Sequence, residues 1–137
     1  SLTRPHTDYK KVNGREYMDE VNQETILMCQ IESRKGVEHI DEIIGTEGID
    51  IALVGPNDLS QDMGVLGQYE CPEMLAAYDK ILAAAKQVGK QAGIHYGKKE
   101  YVVSCRAKGY QMNMCGNDVG FLMAGAKANL EYLNEDK

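Results

Sequence analysis

The segment GIDIALVGPNDLSQDMG, residues 48–64, joins a short apolar run to a turn that carries a carboxylate. Residues 49–54 have the length and composition of a buried strand, and Gly55-Pro56-Asn57-Asp58 ends that strand abruptly. In α/β proteins with parallel sheets, ligands bind at the carboxyl ends of the strands. Asp58 therefore lies where a functional carboxylate is expected, and Gly55 allows the backbone to approach a ligand closely.

The composition is typical of one soluble globular domain. The chain has 137 residues, of which 43% are hydrophobic and 26% charged. A net charge of −6 with scattered basic residues argues against a nucleic-acid partner, and no apolar stretch approaches the roughly 20 residues of a membrane span. The first residues show neither a signal peptide nor an initiator Met, which predicts a cytoplasmic location and either a trimmed chain or a piece of something longer.

The four cysteines, at positions 29, 71, 105 and 115, predict buried thiols in a reducing compartment. No pair has the two-residue spacing of a metal knuckle or a redox motif. A disulfide or a nucleophilic cysteine is the less favoured alternative.

Strand-like and helix-like segments alternate along the whole chain, with about 30 residues for each pair. We predict strands at residues 25–32, 49–55, 91–97 and 110–116, and helices at 15–23, 34–45, 72–88, 98–108 and 118–134. Such alternation indicates a parallel sheet with helical crossovers. Four βα units are half of a (β/α)8 barrel, which takes about 250 residues. Periodicity alone also allows a small doubly wound sheet.

Two carboxylates follow successive predicted strands, Glu32 after the first and Asp58 after the second. Successive strands of a parallel sheet are commonly neighbours, about 4.8 Å apart. Carboxylates this close repel unless a cation or a proton lies between them. Mg²⁺ suits the arrangement, because it takes one or two carboxylates and fills its other positions with water and substrate oxygens. The alternative is that Asp58 caps a helical turn and Glu32 is simply solvated.

The turn at residues 55–58 predicts an anion site next to these carboxylates. Free N–H groups of Asn57 and Asp58 at a helix start can hold a substrate carboxylate, while the neighbouring ketone oxygen reaches the metal. An ordinary strand-to-helix turn is the alternative. His95 ends the third predicted strand at the same edge, although a lone histidine there is more often structural.

These two motifs resemble those of the HpcH/HpaI aldolases, a family of metal-dependent pyruvate aldolases that act on 2-oxo-4-hydroxy acids. The family pattern is Gln-x-Glu at the end of one strand and Gly-Pro-x-Asp-Leu-Ser at the end of the next. Here the motifs read Gln30-Ile31-Glu32 and, from residue 55 to residue 60, GPNDLS, with the two acids 26 positions apart. The resemblance extends over nearly the whole chain, including NDVGFLMAGAKANLEYL at residues 117–133.

The resemblance implies a (β/α)8 TIM barrel, of which residues 1–137 form a single α/β domain, the carboxyl-terminal half. It implies that Glu32 and Asp58 bind a divalent metal, Mg²⁺ or alternatively Mn²⁺ or Co²⁺. The substrate-binding residues that it implies are Gln30, Gly55, Pro56, Asn57 and Asp58. The substrate would be a small 2-oxo acid.

The implied activity is that of a class II aldolase, a carbon–carbon lyase. It would cleave a 2-oxo-4-hydroxy acid into pyruvate and an aldehyde, with the enolate stabilised on the divalent metal. Nothing in the chain matches the family's catalytic Arg and His, which belong to early strands. We therefore expect the isolated chain to be inactive, and expect a homo-oligomer or completion by the missing amino-terminal half. The alternatives are a non-catalytic half-barrel that binds metal, a 2-oxo acid or a partner chain, and a lyase like the citrate lyase β subunit.

Overall fold

Four parallel strands form the sheet of the computed structural model, which describes residues 7–114 and 116–134, with residues 132 and 134 described by their backbone alone. The strands are β1 (Met28–Ile31), β2 (Ile51–Val54), β3 (Gln91–Ile94) and β4 (Met112–Asn113). They lie in the order β1-β2-β3-β4, and every neighbouring pair is parallel. This confirms the predicted α/β fold with a parallel sheet.

Seven helices precede, connect and follow the strands in the described part of the chain. They are α1 (Gly14–Glu24), α2 (Arg34–Glu38), α3 (Ile40–Gly45), α4 (Pro56–Asp62), α5 (Pro72–Gln87), α6 (Lys99–Lys108) and α7 (Asp118–Asn134). Polar side chains cap three of the helix starts: Asn13 accepts from the N–H of Arg15, Ser33 from the N–H of Gly36, and Asn117 from the N–H of Gly120. None of the helices in the described ranges combines the length and apolar character needed to cross a membrane.

Several element boundaries differ from those predicted. The helix expected over 34–45 is two helices, because His39 leaves the helical conformation and both ends α2 and begins α3. Residues 25–27 are outside β1, since Thr25 caps the end of α1 by bonding to the carbonyl of Val21. The strand predicted over 110–116 contains only residues 112–113, and Cys115 lies outside the described residues. The strand predicted over 91–97 ends at Ile94.

The core lies between one face of the sheet and the helices α3 and α5. Ile31, Val54 and Ile94 are paired in register across three strands and are almost completely buried. The side chains of α5 that cover this face are buried: Met74, Ala77, Tyr78, Ile81, Leu82, Ala84 and Ala85. Because side chains alternate along a strand, the next positions face the other side of the sheet. That side is less covered, with Met28 41% and Met112 43% exposed.

Apolar surface is exposed at both edges of the sheet. Within the described residues, β1 and β4 each pair with one strand only. The helix α7, which follows β4 along the chain, carries exposed large apolar side chains, namely Val119, Phe121, Leu122, Met123, Leu130 and Leu133. The sheet is thus open at its edges, as an incomplete barrel would be.

The three cysteines in the described ranges are free thiols. Cys105 is buried, and Cys29 and Cys71 are half-buried. Burial raises the pKa of the Cys105 thiol, so it stays protonated at neutral pH. Cys105 therefore matches the prediction of a buried thiol, whereas Cys29 and Cys71 are only partly buried.

Gly93 has no room for a side chain, which yields a stability prediction. A Cβ at this position would lie 2.8 Å from the Cβ of Met112 and 2.9 Å from the Cδ1 of Leu53. Gly93→Ala should therefore push β3 and β4 apart and lower the free energy of unfolding by about 1–3 kcal/mol. Gly45→Ala is the matched control, because no atom lies within 4 Å of its Cβ position. Urea unfolding of both variants checks the prediction, and equal stabilities would contradict it.

Buried tyrosines predict a loss of stability at alkaline pH. Burial is the main cause of the raised pKa values of Tyr78, Tyr101 and Tyr110. Above the usual tyrosine pKa of about 10, the unfolded chain loses protons that the folded chain retains, so stability falls as pH rises further. Below about pH 10 the buried tyrosines make their full contribution to the free energy of unfolding.

The variant Tyr110→Phe isolates one of these groups. The Tyr110 hydroxyl donates to the carbonyl of Tyr78 over 2.7 Å in the core. Its removal should lower stability at pH 7 by about 1 kcal/mol and reduce the alkaline slope. Tyr9→Phe, at an exposed position, should change neither quantity. Denaturant titrations at pH 7, 9, 10 and 11 test this, and an unchanged slope in Tyr110→Phe would refute the assignment.

Candidate functional site

The ends of β1 and β2 are joined so that the two predicted acids face one small space. The N–H of Gly55 donates to the carbonyl of Ile31 over 3.1 Å, which holds the turn at residues 55–58 against the end of β1. In the same way, the N–H of His95, directly after β3, donates to the carbonyl of Val54 at the end of β2 over 3.0 Å. Successive strand ends are thus tied together by backbone hydrogen bonds.

One small pocket at this edge is bordered by every residue that the sequence singled out for metal or substrate. Its volume is about 40 Å³, comparable with the space of a few water molecules. The bordering residues are Gln30, Glu32, Gly55, Pro56, Asn57, Asp58 and His95. His95, whose role the sequence left open, therefore lies beside the two carboxylates.

Glu32 and Gln30 fold closely over the backbone of Gly55. The Nε2 of Gln30 donates to the Oε1 of Glu32 over 2.6 Å. A Cβ on Gly55 would lie 2.7 Å from that oxygen and 2.9 Å from the Gln30 nitrogen. Only glycine leaves this space open. The bond to Gln30 fixes one carboxylate oxygen and leaves the other oxygen of Glu32 available.

The turn after β2 becomes the first turn of α4, with Gly55 as N-cap and Pro56 at the first helical position. Gly55 offers no side chain to cap the helix. The N–H groups of Asn57 and Asp58 belong to the positions that lack an acceptor within a helix. Both residues are exposed and border the pocket.

The donor set fits a hard divalent cation with few protein ligands. In the described ranges, no three His, Cys, Asp or Glu side chains cluster as a metal-binding group. A structural zinc site would need four such ligands. Two carboxylates and an amide beside open space instead match an ion such as Mg²⁺, which keeps waters and accepts substrate oxygens.

A second cavity, of about 380 Å³, adjoins the small pocket and shares Asn57 and His95 with it. Its other lining residues are Tyr69, Tyr96, Gly97, Lys98, Met114 and Asn117. Burial raises the pKa of Tyr96, which keeps its hydroxyl protonated. Sequence reasoning missed Tyr69 and Tyr96, because neither belongs to a motif or a periodic pattern. The one available signal was the position of Tyr96 directly after a predicted strand core.

A larger cavity, of about 670 Å³, lies between α6 and β4 and contains neither predicted acid. Residues such as Val102, Arg106, Asn113 and Met114 line it. We therefore place the candidate site at the smaller pocket, where carboxylates, free amides and a close backbone approach coincide.

Comparison with known proteins agrees with the motifs. The family model described as HpcH/HpaI aldolase/citrate lyase matches residues 3–124. A pyruvate aldolase of Rhizobium etli is 33% identical over 106 residues, which cover 77% of this chain and 42% of that protein. A 5-keto-4-deoxy-D-glucarate aldolase of Klebsiella pneumoniae is 40% identical over 79 residues, covering 58% and 31%. The chain thus spans less than half the length of the curated relatives that it matches.

Solved structures identify the architecture. An HpcH/HpaI aldolase from Desulfitobacterium hafniense superposes with a TM-score of 0.79 and 35% identity, covering 94% of this chain and 50% of that one. A family member from Burkholderia cenocepacia gives a TM-score of 0.81 at 28% identity, covering 97% and 51%. The four-stranded sheet is therefore part of a TIM-type barrel and not a small doubly wound domain. Motifs, matched model and superposed structures together show that the chain belongs to the HpcH/HpaI aldolase/citrate lyase family.

Proposed function

We propose that the chain is the carboxyl-terminal half of a metal-dependent aldolase that cleaves a 2-oxo-4-hydroxy acid into pyruvate and an aldehyde. The observation that carries the proposal is the single small pocket bordered by Glu32, Asp58, Gln30 and the amides of the turn. The names of relatives support the reaction class, since they include a pyruvate aldolase and a 4-hydroxy-2-oxo-heptane-1,7-dioate aldolase from Shigella sonnei.

In this proposal Glu32 and Asp58 hold one divalent ion, Mg²⁺ or alternatively Mn²⁺ or Co²⁺. When bound, the ion supplies Lewis-acid stabilisation of the negative charge that develops as the C3–C4 bond of the substrate breaks. The hydrogen bond from Gln30 holds the Glu32 carboxylate in place before the ion arrives. Such support by an outer residue orients a ligand and strengthens binding.

The turn at residues 55–58 binds the carboxylate of the pyruvyl group. The N–H groups of Asn57 and Asp58 donate to its oxygens, as amides at the start of a helix do for other anions. Gly55 and Pro56 contribute by shape, because the absence of a Cβ at residue 55 brings the backbone close to the pocket. The carboxylate is thereby held beside the two acids.

Proton transfer requires groups from outside residues 1–137. The resemblance assigns this role to an Arg and a His that have no counterpart in the chain. The exposed apolar side chains and the open edges at β1 and β4 support completion by another half-barrel, in the same polypeptide or in trans. The completed protein is a cytoplasmic homo-oligomer in this proposal. A half-barrel that binds metal and a 2-oxo acid without turnover is the alternative, favoured by that same missing Arg and His.

The metal site is tested by removing one charged oxygen at a time. Glu32→Gln and Asp58→Asn should each weaken Mg²⁺ or Mn²⁺ binding by at least about 100-fold. Mutation of a residue that only supports a metal ligand already lowers metal affinity by about 10–100-fold. Glu47→Gln removes an exposed carboxylate elsewhere and should bind like the original protein. Titration calorimetry measures the three affinities. Unchanged binding in both site variants would refute the assignment.

Assembly is tested on the isolated chain, residues 1–137. Its open edges and apolar surface should cause self-association and strong binding of a hydrophobic dye. Aldolase turnover should be absent and should return when the amino-terminal half is added. Sedimentation, dye fluorescence and a pyruvate-release assay measure these properties. A stable monomer with a cooperative melt, weak dye binding and full activity would contradict the proposal.

A further inference from the structure

The side chain of Asn57 is held in one orientation by the loop that follows α4. The hydroxyl of Tyr69 donates to the Oδ1 of Asn57 over 2.6 Å. The backbone of Asn57 is held as well, because its carbonyl accepts from the buried hydroxyl of Ser60 over 2.8 Å. The oxygen of Ser60 in turn accepts from the N–H of Gly67 over 3.2 Å. Loop and turn therefore form one connected unit around Asn57.

The position of the Tyr69 hydroxyl is set by aromatic packing that reaches the core. Its ring makes an edge-to-face contact with Tyr96, with centroids 5.2 Å apart. Tyr96 contacts Tyr101 at 4.7 Å, and Tyr101 contacts the buried Tyr78 of α5 at 6.1 Å. Edge-to-face pairs restrict ring orientation as well as burying area. The hydroxyl that holds Asn57 is therefore attached to the ordered interior and not to a free loop.

The other end of the Asn57 amide is available to a ligand. No residue in the described ranges accepts a hydrogen bond from its Nδ2, while its Oδ1 is occupied by Tyr69. An asparagine amide nitrogen carries two donors. Asn57 borders both the small pocket with the carboxylates and the adjoining cavity of about 380 Å³. A donor of fixed orientation thus lies where the two spaces meet.

We propose that Asn57 selects the aldehyde half of the substrate and that Tyr69 is the positioning residue for this selection. The inference rests on the proposed function. With the pyruvyl half in the small pocket, the aldehyde half extends into the adjoining cavity. The Asn57 nitrogen then donates to an oxygen on that half, a hydroxyl or a carboxylate. Aldehydes that carry such an oxygen are preferred over alkyl aldehydes of equal size.

The selection is measured in the condensation direction with the complete gene product that contains this chain. Pyruvate is combined with glycolaldehyde or propanal, which differ by a hydroxyl in place of a methyl group. The second pair is succinic semialdehyde and 4-methylpentanal, which compares a carboxylate with an isopropyl group of similar shape. In each reaction a bond forms between the pyruvate methyl carbon and the aldehyde carbon. The methyl group loses a proton and the aldehyde oxygen gains one.

The ratio of kcat/KM within a pair is the readout, because a general loss of activity leaves it unchanged. We expect the original protein to prefer the oxygen-bearing member of at least one pair. Tyr69→Phe and Asn57→Ala should each reduce that preference by about fivefold to tenfold, which corresponds to the net free energy of one neutral hydrogen bond. The double variant should lose no more than Asn57→Ala, since the two residues act as one unit. The pair that responds distinguishes a hydroxyl from a carboxylate.

Two further variants separate recognition from structure. Asn57→Asp keeps the acceptor for Tyr69 and removes the N–H donors, so it should also lose the preference. Tyr9→Phe removes an exposed hydroxyl elsewhere and should keep it. Equal kcat/KM for both members of each pair in the original protein, or an unchanged ratio in Tyr69→Phe and Asn57→Ala, would overturn the inference and leave the aldolase proposal intact. Absence of condensation with every aldehyde would overturn both.

Discussion

The backbone hydrogen bond from Gly55 to Ile31 is the contact on which the site depends. It extends the pairing of β1 and β2 by one residue beyond the strands and holds the following turn against Glu32. The distance is 3.1 Å, that of an ordinary backbone bond. Although it is one ordinary hydrogen bond, it brings two carboxylates, an amide and the start of α4 to one pocket of about 40 Å³. A side chain at residue 55 would prevent that arrangement, since its Cβ would meet Glu32 and Gln30.

The interior supports this edge through the last residues of the strands. Ile31, Val54 and Ile94 are the last residues of their strands and lie in one register row under α5. The residues that follow them carry the site, so the most tightly packed layer of the core lies directly beneath the polar one. Packed interiors resist small displacements. Glu32, the turn at 55–58 and His95 therefore begin from fixed backbone positions, as a site that must hold a substrate in one geometry requires.

The sequence was sufficient for those features that depend on local patterns. The apolar run at 49–54 predicted β2, the spacing from Met74 to Ala85 predicted α5, and the two motifs brought Glu32 and Asp58 to one edge. Features that depend on three-dimensional packing were not predictable. The break at His39 leaves the helical spacing of the apolar residues in 34–45 intact, so this spacing predicted one helix instead of two. β4 pairs along only two residues, although its apolar run is longer.

Tyr69 shows the same limit within the site itself. It reaches Asn57 because the preceding loop reverses direction at Gly64 and Gly67, both in the left-handed region with φ of 75° and 77°. Twelve residues separate the two partners, and no repeating spacing connects them. Only the loop path reveals the contact. The hydrogen bond from Tyr69 to Asn57 could therefore not be predicted without the conformation of the loop.

The order of the strands also bears on how the chain acquires its structure. Each strand pairs with the next strand in sequence, although the paired residues Met28 and Ile51, Ile51 and Gln91, and Gly93 and Met112 are 23, 40 and 19 positions apart. Because no strand of the described residues pairs across an intervening one, each βα unit can add to an edge that is already formed. A ribosome releases the chain in that same direction. The sheet can therefore grow during synthesis with the edge at β4 as the growing end, and the pocket is complete only when His95, after β3, has joined Glu32 and the turn at residues 55–58.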